Sequence, residues 1–354
     1  MANTKALRSR APMRVSFGGG GSEINPYMKD YGGKVMNATV NLYAHGLLYE
    51  SKCDLIHVTN TESFENYEIQ ISQIEALDIT KVPKSCALAF AAVKYFKSEL
   101  GCEFQSGLFI KTHSDAPVGS GLGASSTMTV SIVHLLLEYF NLTFDSYSLS
   151  DLAYKIERDY LGLSGGIQDH YCAAFGGFNY MEFGPNEHIL INSLRIKPEN
   201  VYELESHLLL IYTGTSRESA HIIDQQIDLM ESDVQFTNKQ LKKIADNANA
   251  IKQSILKWNL LEFGTFLNDG WNLKKSLSRM ITTDQIDQLI QTCENSGARG
   301  IKLCGAGGGG YLLVAIEPEK RPSLFKNLGI GFENILKIKF VDHGSEVWAS
   351  ELIQ

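Results

Sequence analysis

Hydrophobic and polar positions change their spacing several times along the chain, and each spacing predicts a different element. Between Arg10 and Phe17 apolar and polar side chains alternate, as in a strand with one buried face. From Ser85 to Leu100 apolar side chains recur at every third or fourth position, which predicts a helix with an apolar face. The other main predicted elements are strands at 107–111, 206–212, 299–304, 311–315 and 335–341, and helices at 128–140, 149–160 and 236–296.

Local signals also predict where some of these helices begin and break. Ser150 and Asp151 are the candidate capping residues of the helix at 149–160. The region 236–296 is predicted to be several successive helices, with breaks near the residues Asn259, Gly270 and Thr282.

Turn-forming residues near the middle of the chain predict a boundary between two domains. Gly184-Pro-Asn and Lys197-Pro-Glu-Asn have the composition of turns and loops. A length of 354 residues is sufficient for two hydrophobic cores. We therefore predict an N-terminal domain at residues 1–200 and a C-terminal domain at residues 201–354.

Charge and cysteine content narrow the class of protein. A formal net charge of −8 argues against a nucleic-acid partner, which normally meets a basic face. No apolar run reaches the roughly 20 residues of a membrane span, so no membrane partner is expected. None of the six cysteines forms a C-x-x-C pair, which argues against zinc, and no apolar secretion signal begins the chain. We therefore expect a cytoplasmic protein with reduced thiols.

The segment from Ser114 to Thr127 combines a predicted strand end, alternating glycines and a predicted helix start. Gly119, Gly121 and Gly123 let the backbone turn tightly and approach a ligand closely. The free N–H groups of the following helical turn favour a phosphate group. The spacing fits neither a Walker A loop nor a dinucleotide-binding fingerprint. A tight connection without a ligand is the alternative interpretation.

Acidic residues and further glycines mark three other candidate regions. The first strand runs into a glycine loop that ends at Glu23, and the loop 305–310 holds five glycines between two strands. Glu157 lies near the end of its predicted helix, where an acidic side chain is unfavourable for the helix dipole. Asp169 follows a glycine turn 12 residues later. A solvated surface position is the alternative for Glu157.

Together these segments resemble the GHMP kinases, small-molecule kinases named for galactose, homoserine, mevalonate and phosphomevalonate. The resemblance rests on the Ala11-Pro-Met-Arg14 strand with its glycine loop, the segment 117–126, the loop 305–310, and the spacing of Glu157 and Asp169. It implies an α+β fold, with an N-terminal domain like the second domain of ribosomal protein S5 and a ferredoxin-like C-terminal domain. The active site would lie between the two domains.

Within the family, the loop from Phe17 to Ser22 and the Gly165-to-Asn179 run resemble sugar 1-kinases of nucleotide-heptose synthesis. The implied reaction transfers phosphate from ATP to the C1 hydroxyl of D-glycero-D-manno-heptose 7-phosphate, in the synthesis of nucleotide-activated heptose for surface polysaccharide. Two alternatives stay open: another sugar 1-kinase of the fucokinase type, and a non-catalytic sugar- or nucleotide-binding regulator. The expected partners are the sugar phosphate and ATP, in a monomer or homodimer.

The resemblance also implies roles for individual residues. Asp169 would be the catalytic base and Arg14 its cationic partner beside the transferred phosphate. Mg²⁺ would be held by Ser125 and Glu157, with Ser126 as the alternative because Ala124 replaces the first serine of the usual pair. The residues implied in ATP binding form the glycine loop: Pro117, Gly119, Ser120, Gly121, Leu122, Gly123, Ala124, Ser125 and Ser126.

The candidate acceptor-binding residues come from four segments of the chain. They are Gly19, Gly20, Gly21, Ser22, Glu23, Asn37, Thr39, Gly166, Gln168, Arg217, Gly307 and Gly308. Asn37 and Thr39 are equally typical of a hairpin without a ligand. Arg217 follows a predicted buried strand at a Thr-Gly-Thr-Ser turn, which suits a sugar phosphate. An ordinary surface arginine is the alternative for Arg217, and other basic residues, among them Lys111, Lys274 and Arg299, are the secondary candidates for this contact.

Overall fold

The computed structural model describes residues 4–185, 188–215 and 219–352. Its strands are β1 Thr4–Gly18, β2 Gly33–Ser51, β3 Leu55–Asn60, β4 Asn66–Gln70, β5 Gly107–Ser114, β6 Phe178–Phe183, β7 Ile189–Ser193, β8 Leu208–Tyr212, β9 Gly300–Leu303, β10 Tyr311–Ala315, β11 Ile335–Leu336 and β12 Glu346–Leu352. Its α-helices are α1 Tyr27–Tyr31, α2 Lys84–Ser98, α3 Ala124–Tyr139, α4 Ser146–Tyr154, α5 Gln168–Phe175, α6 Pro198–His207, α7 Ser219–Ser232, α8 Val234–Leu256, α9 Leu260–Lys275, α10 Asp284–Asn295 and α11 Arg321–Leu328.

The larger sheet is organised around two long strands. β1 and β2 extend over 15 and 19 residues and pair antiparallel. The strand order is β12-β1-β2-β5-β3-β4, and the far end of β2 also pairs with β6, which pairs with β7. Only β3 and β5 run parallel among these pairs of described strands. Because β2 is long, it joins the part of the sheet that contains β5 to the part that contains β6 and β7.

Helices α2 and α3 cover one face of this sheet and form its core. Nearly every residue of α3 is buried, including polar residues such as Ser131 and His134. An all-round buried helix is typical of the centre of a layered domain. Ser131 satisfies its hydroxyl by a hydrogen bond of 2.7 Å with Ser9 of β1. The helix that follows the glycine loop is therefore fixed against the sheet along its whole length.

The second sheet is smaller and belongs to the C-terminal half. Its order is β11-β8-β10-β9, and all its pairs are antiparallel. Helices α7 to α11 supply its apolar cover, with Trp271 and Ile290 among the buried residues. The predicted α+β class is confirmed. In the described chain no helix combines the length and the apolar character needed to cross a membrane.

The last strand departs from the predicted division of the chain at residue 200. β12 returns to the larger sheet and pairs with β1, from Arg10 opposite Glu346 to Thr4 opposite Leu352. The C-terminal segment is thus part of the N-terminal layer. The predicted strand at 335–341 shortens to Ile335–Leu336, followed by a single bridge from Phe340 to Val40.

Helix boundaries near the candidate site also differ from the predicted ones. Asp145, not Ser150 or Asp151, caps α4, because its side chain accepts from the N–H of Ser148 and Ser148 reciprocates. The predicted helix continues past α4 as a π-helical turn from Lys155 to Tyr160. Gly270, a predicted break, lies inside α9. Wide π-helical turns are rare and occur often at functional sites.

Candidate active site

A cleft of about 1010 Å³ opens between the two sheets. One wall is formed by the loop after β1, the glycine loop before α3 and the start of α5. The opposite wall carries side chains of α7, α9 and β9. A cavity of this size accommodates two small-molecule ligands at once.

The glycine loop adopts the backbone that the sequence predicts for it. Gly119, Gly121 and Gly123 have φ angles of 80°, 79° and 79°, a region that favours glycine. Gly123 immediately precedes α3, and Ala124 is the first helical residue. The first-turn N–H groups of α3 therefore begin at the cleft, as a phosphate-binding loop requires. Leu122 is fully buried below the loop, and its carbonyl accepts from the N–H of Arg14 at 3.1 Å.

The second glycine-rich loop packs directly on the first. A Cβ at Gly121 would lie 2.5 Å from the carbonyl oxygen of Cys304, and one at Gly305 would lie 2.6 Å from the Cα of Gly121. The N–H of Tyr311 donates to the carbonyl of Ser120 at 3.0 Å. These glycines permit the two loops to touch. The loop 305–310 thus supports, from the second domain, the glycine loop before α3, which is the predicted phosphate loop.

The predicted acceptor contacts Gly307 and Gly308 do not line this cleft. The N–H of Gly308 donates to the carbonyl of Ile281 at 2.8 Å, and a Cβ at Gly307 would lie 2.9 Å from the Cα of Ile281. Gly305 and Ala306 line the cleft in their place. The two predicted glycines are committed to packing inside the second domain.

Arg14 and Asp169 form an ion pair on the floor of the cleft. The Nε and Nη2 atoms of Arg14 lie 2.7 and 2.6 Å from Oδ1 of Asp169. The Nη1 atom of Arg14 donates to the carbonyl of Gly121 at 2.6 Å, which joins the pair to the phosphate loop. Burial, the largest single influence, lowers the pKa of Arg14, but the charge of Asp169, the hydrogen bond to it and smaller contributions from Cys172 and Cys304 together outweigh burial, and the pKa is raised. A Cβ at Gly123 would lie 3.1 Å from Oδ2 of Asp169, so glycine leaves this oxygen open toward the loop.

Glu157 is fully buried beside the start of α3. Its Oε1 accepts from the hydroxyl of Ser125 at 2.6 Å, and its Oε2 lies 2.6 Å from Nε2 of His170. Nη1 of Arg158 lies 3.4 Å from Oε1. Burial by itself raises the pKa of Glu157, but Arg158 and the hydrogen bonds from His170 and Ser125 lower it to about 2. The carboxylate is thus a fixed negative charge next to the phosphate loop.

The two candidate metal-binding serines have different partners. Ser125 contacts Glu157, whereas the hydroxyl of Ser126 accepts from Nη2 of Arg158 at 2.9 Å. Ser126 is buried and Ser125 is partly exposed to the cleft. Two oxygen donors on one side of a phosphate loop fit a magnesium ion, whose other ligands are commonly phosphate oxygens and water. This geometry favours Ser125 over Ser126 as the partner of Glu157.

The loop after β1 forms the other end of the cleft. Glu23 accepts from the N–H of Gly21 at 2.6 Å and from the side-chain amide of Gln168. Burial raises the pKa of Glu23. Gly166 lies against this carboxylate, since a Cβ there would be 2.7 Å from Oε1. The cleft-facing members of this predicted set are Gly19, Gly20, Gly21, Glu23, Gly166 and Gln168.

The other predicted acceptor contacts lie elsewhere. Ser22 is fully buried, and its hydroxyl donates to the carbonyl of Gly19 at 2.8 Å. Asn37 is fully buried and accepts from the thiol of Cys172 at 3.2 Å. Thr39 donates to the carbonyl of Val341 at 2.7 Å. These side chains are committed to contacts inside the protein and do not line the cleft. Arg217 lies outside the described residues.

Several polar side chains in the cleft were not among the predicted site residues. They include Ser16, Arg158, Gln226 and Lys302, with His170 directly behind Glu157, whereas Lys274 is one of the secondary candidates for the sugar phosphate. His170 and Arg158 each adjoin a predicted residue in the sequence, which is the signal that could have found them. Gln226 and Lys302 come from a helix and a strand of the second domain, and neither lies in a glycine loop or turn.

The sequence and the fold of this chain are also similar to those of known proteins. The residue pattern of the GHMP kinases N terminal domain matches residues 87–177, and that of the GHMP kinases C terminal domain matches residues 251–330. A D-glycero-alpha-D-manno-heptose 7-phosphate kinase of Campylobacter jejuni is 32% identical over 97% of this chain and 99% of its own. The crystal structure of a D-glycero-D-manno-heptose 1-phosphate kinase from Bacteriodes thetaiotaomicron has a TM-score of 0.79 and 32% identity, and covers 97% of this chain and 98% of its own. A bifunctional fucokinase/GDP-fucose pyrophosphorylase of Arabidopsis thaliana is 26% identical over 90% of this chain, which spans 30% of that protein.

Proposed function

The chain belongs to the GHMP kinase family and is an ATP-dependent sugar kinase, and from that premise we propose that it phosphorylates the C1 hydroxyl of D-glycero-D-manno-heptose 7-phosphate. The products are heptose 1,7-bisphosphate and ADP. We place the reaction in the cytoplasm, in the synthesis of nucleotide-activated heptose for surface polysaccharide. The enzyme acts as a monomer or homodimer.

The observation that carries the proposal is the Arg14–Asp169 pair below the phosphate loop. Asp169 accepts the proton of the C1 hydroxyl as this oxygen forms a bond to the γ-phosphorus of ATP. The bond between that phosphorus and the bridging oxygen breaks, and ADP leaves. Arg14 holds the carboxylate through Oδ1 at 2.7 Å and places a cation where charge develops.

The phosphate loop and Glu157 position the nucleotide. Backbone N–H groups between Gly119 and Ser126 bind the ATP phosphates, except those of Ser120 and Leu122, which donate to the Pro117 carbonyl and the Ser120 hydroxyl. Ser125 and Glu157 would hold Mg²⁺, which would neutralise charge on those phosphates. His170 and Arg158 orient Glu157, because each contacts one of its carboxylate oxygens.

The acceptor is proposed from the relatives and from the end of the cleft around Glu23. The Campylobacter relative is a heptose 7-phosphate kinase, whereas the Bacteriodes structure is described as a heptose 1-phosphate kinase. These descriptions differ on the position of the phosphate. We choose the 7-phosphate because a free C1 hydroxyl is then available for transfer beside Asp169. Partial similarity to a fucokinase makes an unphosphorylated 6-deoxy sugar the second candidate acceptor.

The test is product analysis with ATP, Mg²⁺ and a panel of sugars: heptose 7-phosphate, heptose 1-phosphate, unphosphorylated heptose, fucose and galactose. We expect the highest kcat/KM with heptose 7-phosphate and a ³¹P signal for phosphate on C1. If fucose is the preferred substrate, it replaces heptose 7-phosphate as the proposed acceptor. A product with phosphate on another carbon would contradict the proposed transfer to C1. If none of these sugars supports ATP turnover, a different class of acceptor is favoured. If a sugar or nucleotide binds tightly but no turnover occurs, the non-catalytic sugar- or nucleotide-binding regulator is favoured.

A further inference from the structure

Two lysines project into the acceptor end of the cleft from the second domain. Lys274 lies in the last turn of α9, and Lys302 lies in β9 between residues that are themselves buried. Lys302 is only 8% exposed, and Lys274 is partly buried. Lysine is almost never buried unless its charge has a partner, so two such residues in one cleft require an explanation.

The hydrogen bonds of both ammonium groups are incomplete. Nζ of Lys274 donates to the carbonyl of Gly305 at 2.6 Å, and Nζ of Lys302 donates to the carbonyl of Ser16. An ammonium carries three N–H donors, and within the ranges 4–185, 188–215 and 219–352 neither lysine has a carboxylate at ion-pair distance. Each group therefore keeps donors for a partner that is not part of the described protein.

The electrostatic environment indicates that this partner is an anion. Burial lowers the pKa of each lysine to about 8, and the nearby charge of Arg14 acts in the same direction. Glu23 is the main opposing charge for Lys274, but its own pKa is raised by burial. The cations Arg14, Lys274 and Lys302 thus face two acidic side chains. Glu23 has a raised pKa, and Asp169 is already paired with Arg14. An anionic ligand would relieve this excess of positive charge.

The lysines lie on the acceptor side of the cleft and not on the metal side. The groups that act on Glu157 are Arg158, His170 and Ser125, and neither lysine is among them. Lys302 is instead joined to the β1 end through Ser16. In the described chain the Ser16 hydroxyl, Oε1 of Gln168 and Nε2 of Gln226 are buried without hydrogen-bond partners. Unpaired donors and acceptors beside two cations suit a phosphorylated polyol.

We propose that Lys274 and Lys302 hold the phosphate group of the acceptor and so select a sugar phosphate over the unphosphorylated sugar. This inference rests on the proposed function and adds residues of the second domain to it. It also gives the phosphate two described partners, whereas Arg217, the residue predicted for this role, lies outside the described ranges.

The test compares Lys274→Met and Lys302→Met with Lys275→Met. Lys275 is the matched control because it follows Lys274 in α9 but lies outside the cleft, 3.7 Å from Asp287. For each variant, kcat/KM is measured with heptose 7-phosphate and with unphosphorylated heptose, together with the KM for ATP. We expect a loss of about ten- to hundred-fold with the phosphorylated sugar, less than about threefold with the unphosphorylated sugar, and an unchanged KM for ATP. The control should behave as the wild type.

Two further results separate this inference from the proposed function. Equal losses with both sugars, or a raised KM for ATP, would overturn the lysine assignment while the wild-type activity stands. Failure of the wild type to phosphorylate heptose 7-phosphate would overturn the proposed function and the inference with it. If Lys302→Met does not fold, the Lys274 variant and calorimetric binding of the sugar phosphate without ATP decide the question, and unchanged affinity contradicts the assignment.

Discussion

Two buried glutamates line separate parts of the cleft, and the groups that contact them differ in charge. Glu157 contacts Arg158 and His170, and its pKa is lowered to about 2. Glu23 accepts from a backbone N–H and from the neutral amide of Gln168, and burial raises its pKa. Equal burial therefore gives a fixed anion in one part of the cleft and a carboxyl group of weakened acidity in the other. The first suits a metal ion, and the second suits the hydroxyl groups of a sugar.

The largest expected effect comes from the proposed catalytic base. Asp169→Asn should lower kcat by about 10²–10⁴-fold, because a general base contributes in this range. Neither glutamate changes, so the Mg²⁺ concentration for half-maximal activity and the KM for sugar should stay near their wild-type values. Steady-state kinetics at several Mg²⁺ concentrations measure all three quantities. Near-normal turnover of a folded variant would remove Asp169 from the mechanism.

The second prediction tests the two glutamates through the pH dependence of unfolding without metal. The folded pKa of Glu157 is about 2, below the ordinary 4.5, so its contribution is present above pH 4.5 and lost as the pH falls toward 2. Glu157→Gln should cost on the order of 3 kcal/mol at neutral pH, and the difference should shrink progressively as the pH falls below 4.5. Urea unfolding in EDTA between pH 3 and 7 measures it.

Glu23 should show the opposite sign in the same experiment. Its folded pKa is raised, so the unfolded chain releases this proton first and stability falls as the pH rises above about 4.5. Glu23→Gln removes that loss, and its stability relative to the wild type should improve with rising pH. If stability relative to the wild type changes with pH in the same direction for both variants, the surroundings of Glu23 and Glu157 do not shift their pKa values in opposite directions.

The third prediction concerns the two serines at the metal end. Ser125→Ala should raise the Mg²⁺ concentration for half-maximal activity about tenfold, because it removes an oxygen beside Glu157. Ser126→Ala should change it much less, since that hydroxyl accepts from Arg158. Adding Glu157→Gln to Ser125→Ala should give less than the sum of the two effects. Mn²⁺ binding followed by electron paramagnetic resonance reports the same site without turnover. A larger effect of Ser126→Ala would reverse the assignment.

The parts of the site that sequence could predict are those with a local signal. The glycine loop before α3 is recognisable from its spacing, and Asp169 from the flexible turn before it. Arg14 lies two residues beyond a proline in an alternating strand. Lys302 has no such signal, because its burial depends on the pairing of β9 with β10 and on the contact of its ammonium group with Ser16 of β1. Thr39 does not line the cleft for a related reason, since its hydroxyl donates to the carbonyl of Val341, some 302 residues away in the sequence.

The fold shows the same division between local and distant causes. The strands and helices near residues 85–100, 107–114 and 124–139 follow from periodicity. The return of β12 to β1 does not, because it depends on which sheet edge is free after the chain has crossed both domains. The predicted helix start at residue 149 differs from the observed start of α4 because Asp145 caps the helix several residues before the apolar pattern begins.

The last and smallest effect sharpens the description of the acceptor end. Nε2 of Gln226 is buried without a partner among the described residues, and an unsatisfied buried donor destabilises a folded protein. Gln226→Leu should therefore raise the free energy of unfolding of the ligand-free enzyme, by about 1 kcal/mol. If the amide binds a sugar hydroxyl, the same change should raise the KM for the sugar by about two- to tenfold, because a neutral hydrogen bond is lost.

If Gln226→Leu raises the stability of the ligand-free enzyme and lowers its affinity for sugar, the Gln226 amide is a ligand-binding group and not a packing residue. Gln225→Leu is the control, since Gln225 precedes it on α7 and its amide contacts Met280 at the surface. The measurements are urea unfolding without ligands and the KM for sugar at saturating ATP. A loss of stability together with an unchanged KM would mean that Gln226 only packs α7 against the cleft. Recognition of the sugar would then rest on Gln168, Ser16 and the loop after β1, because those groups also have unpaired polar atoms or backbone facing the cleft.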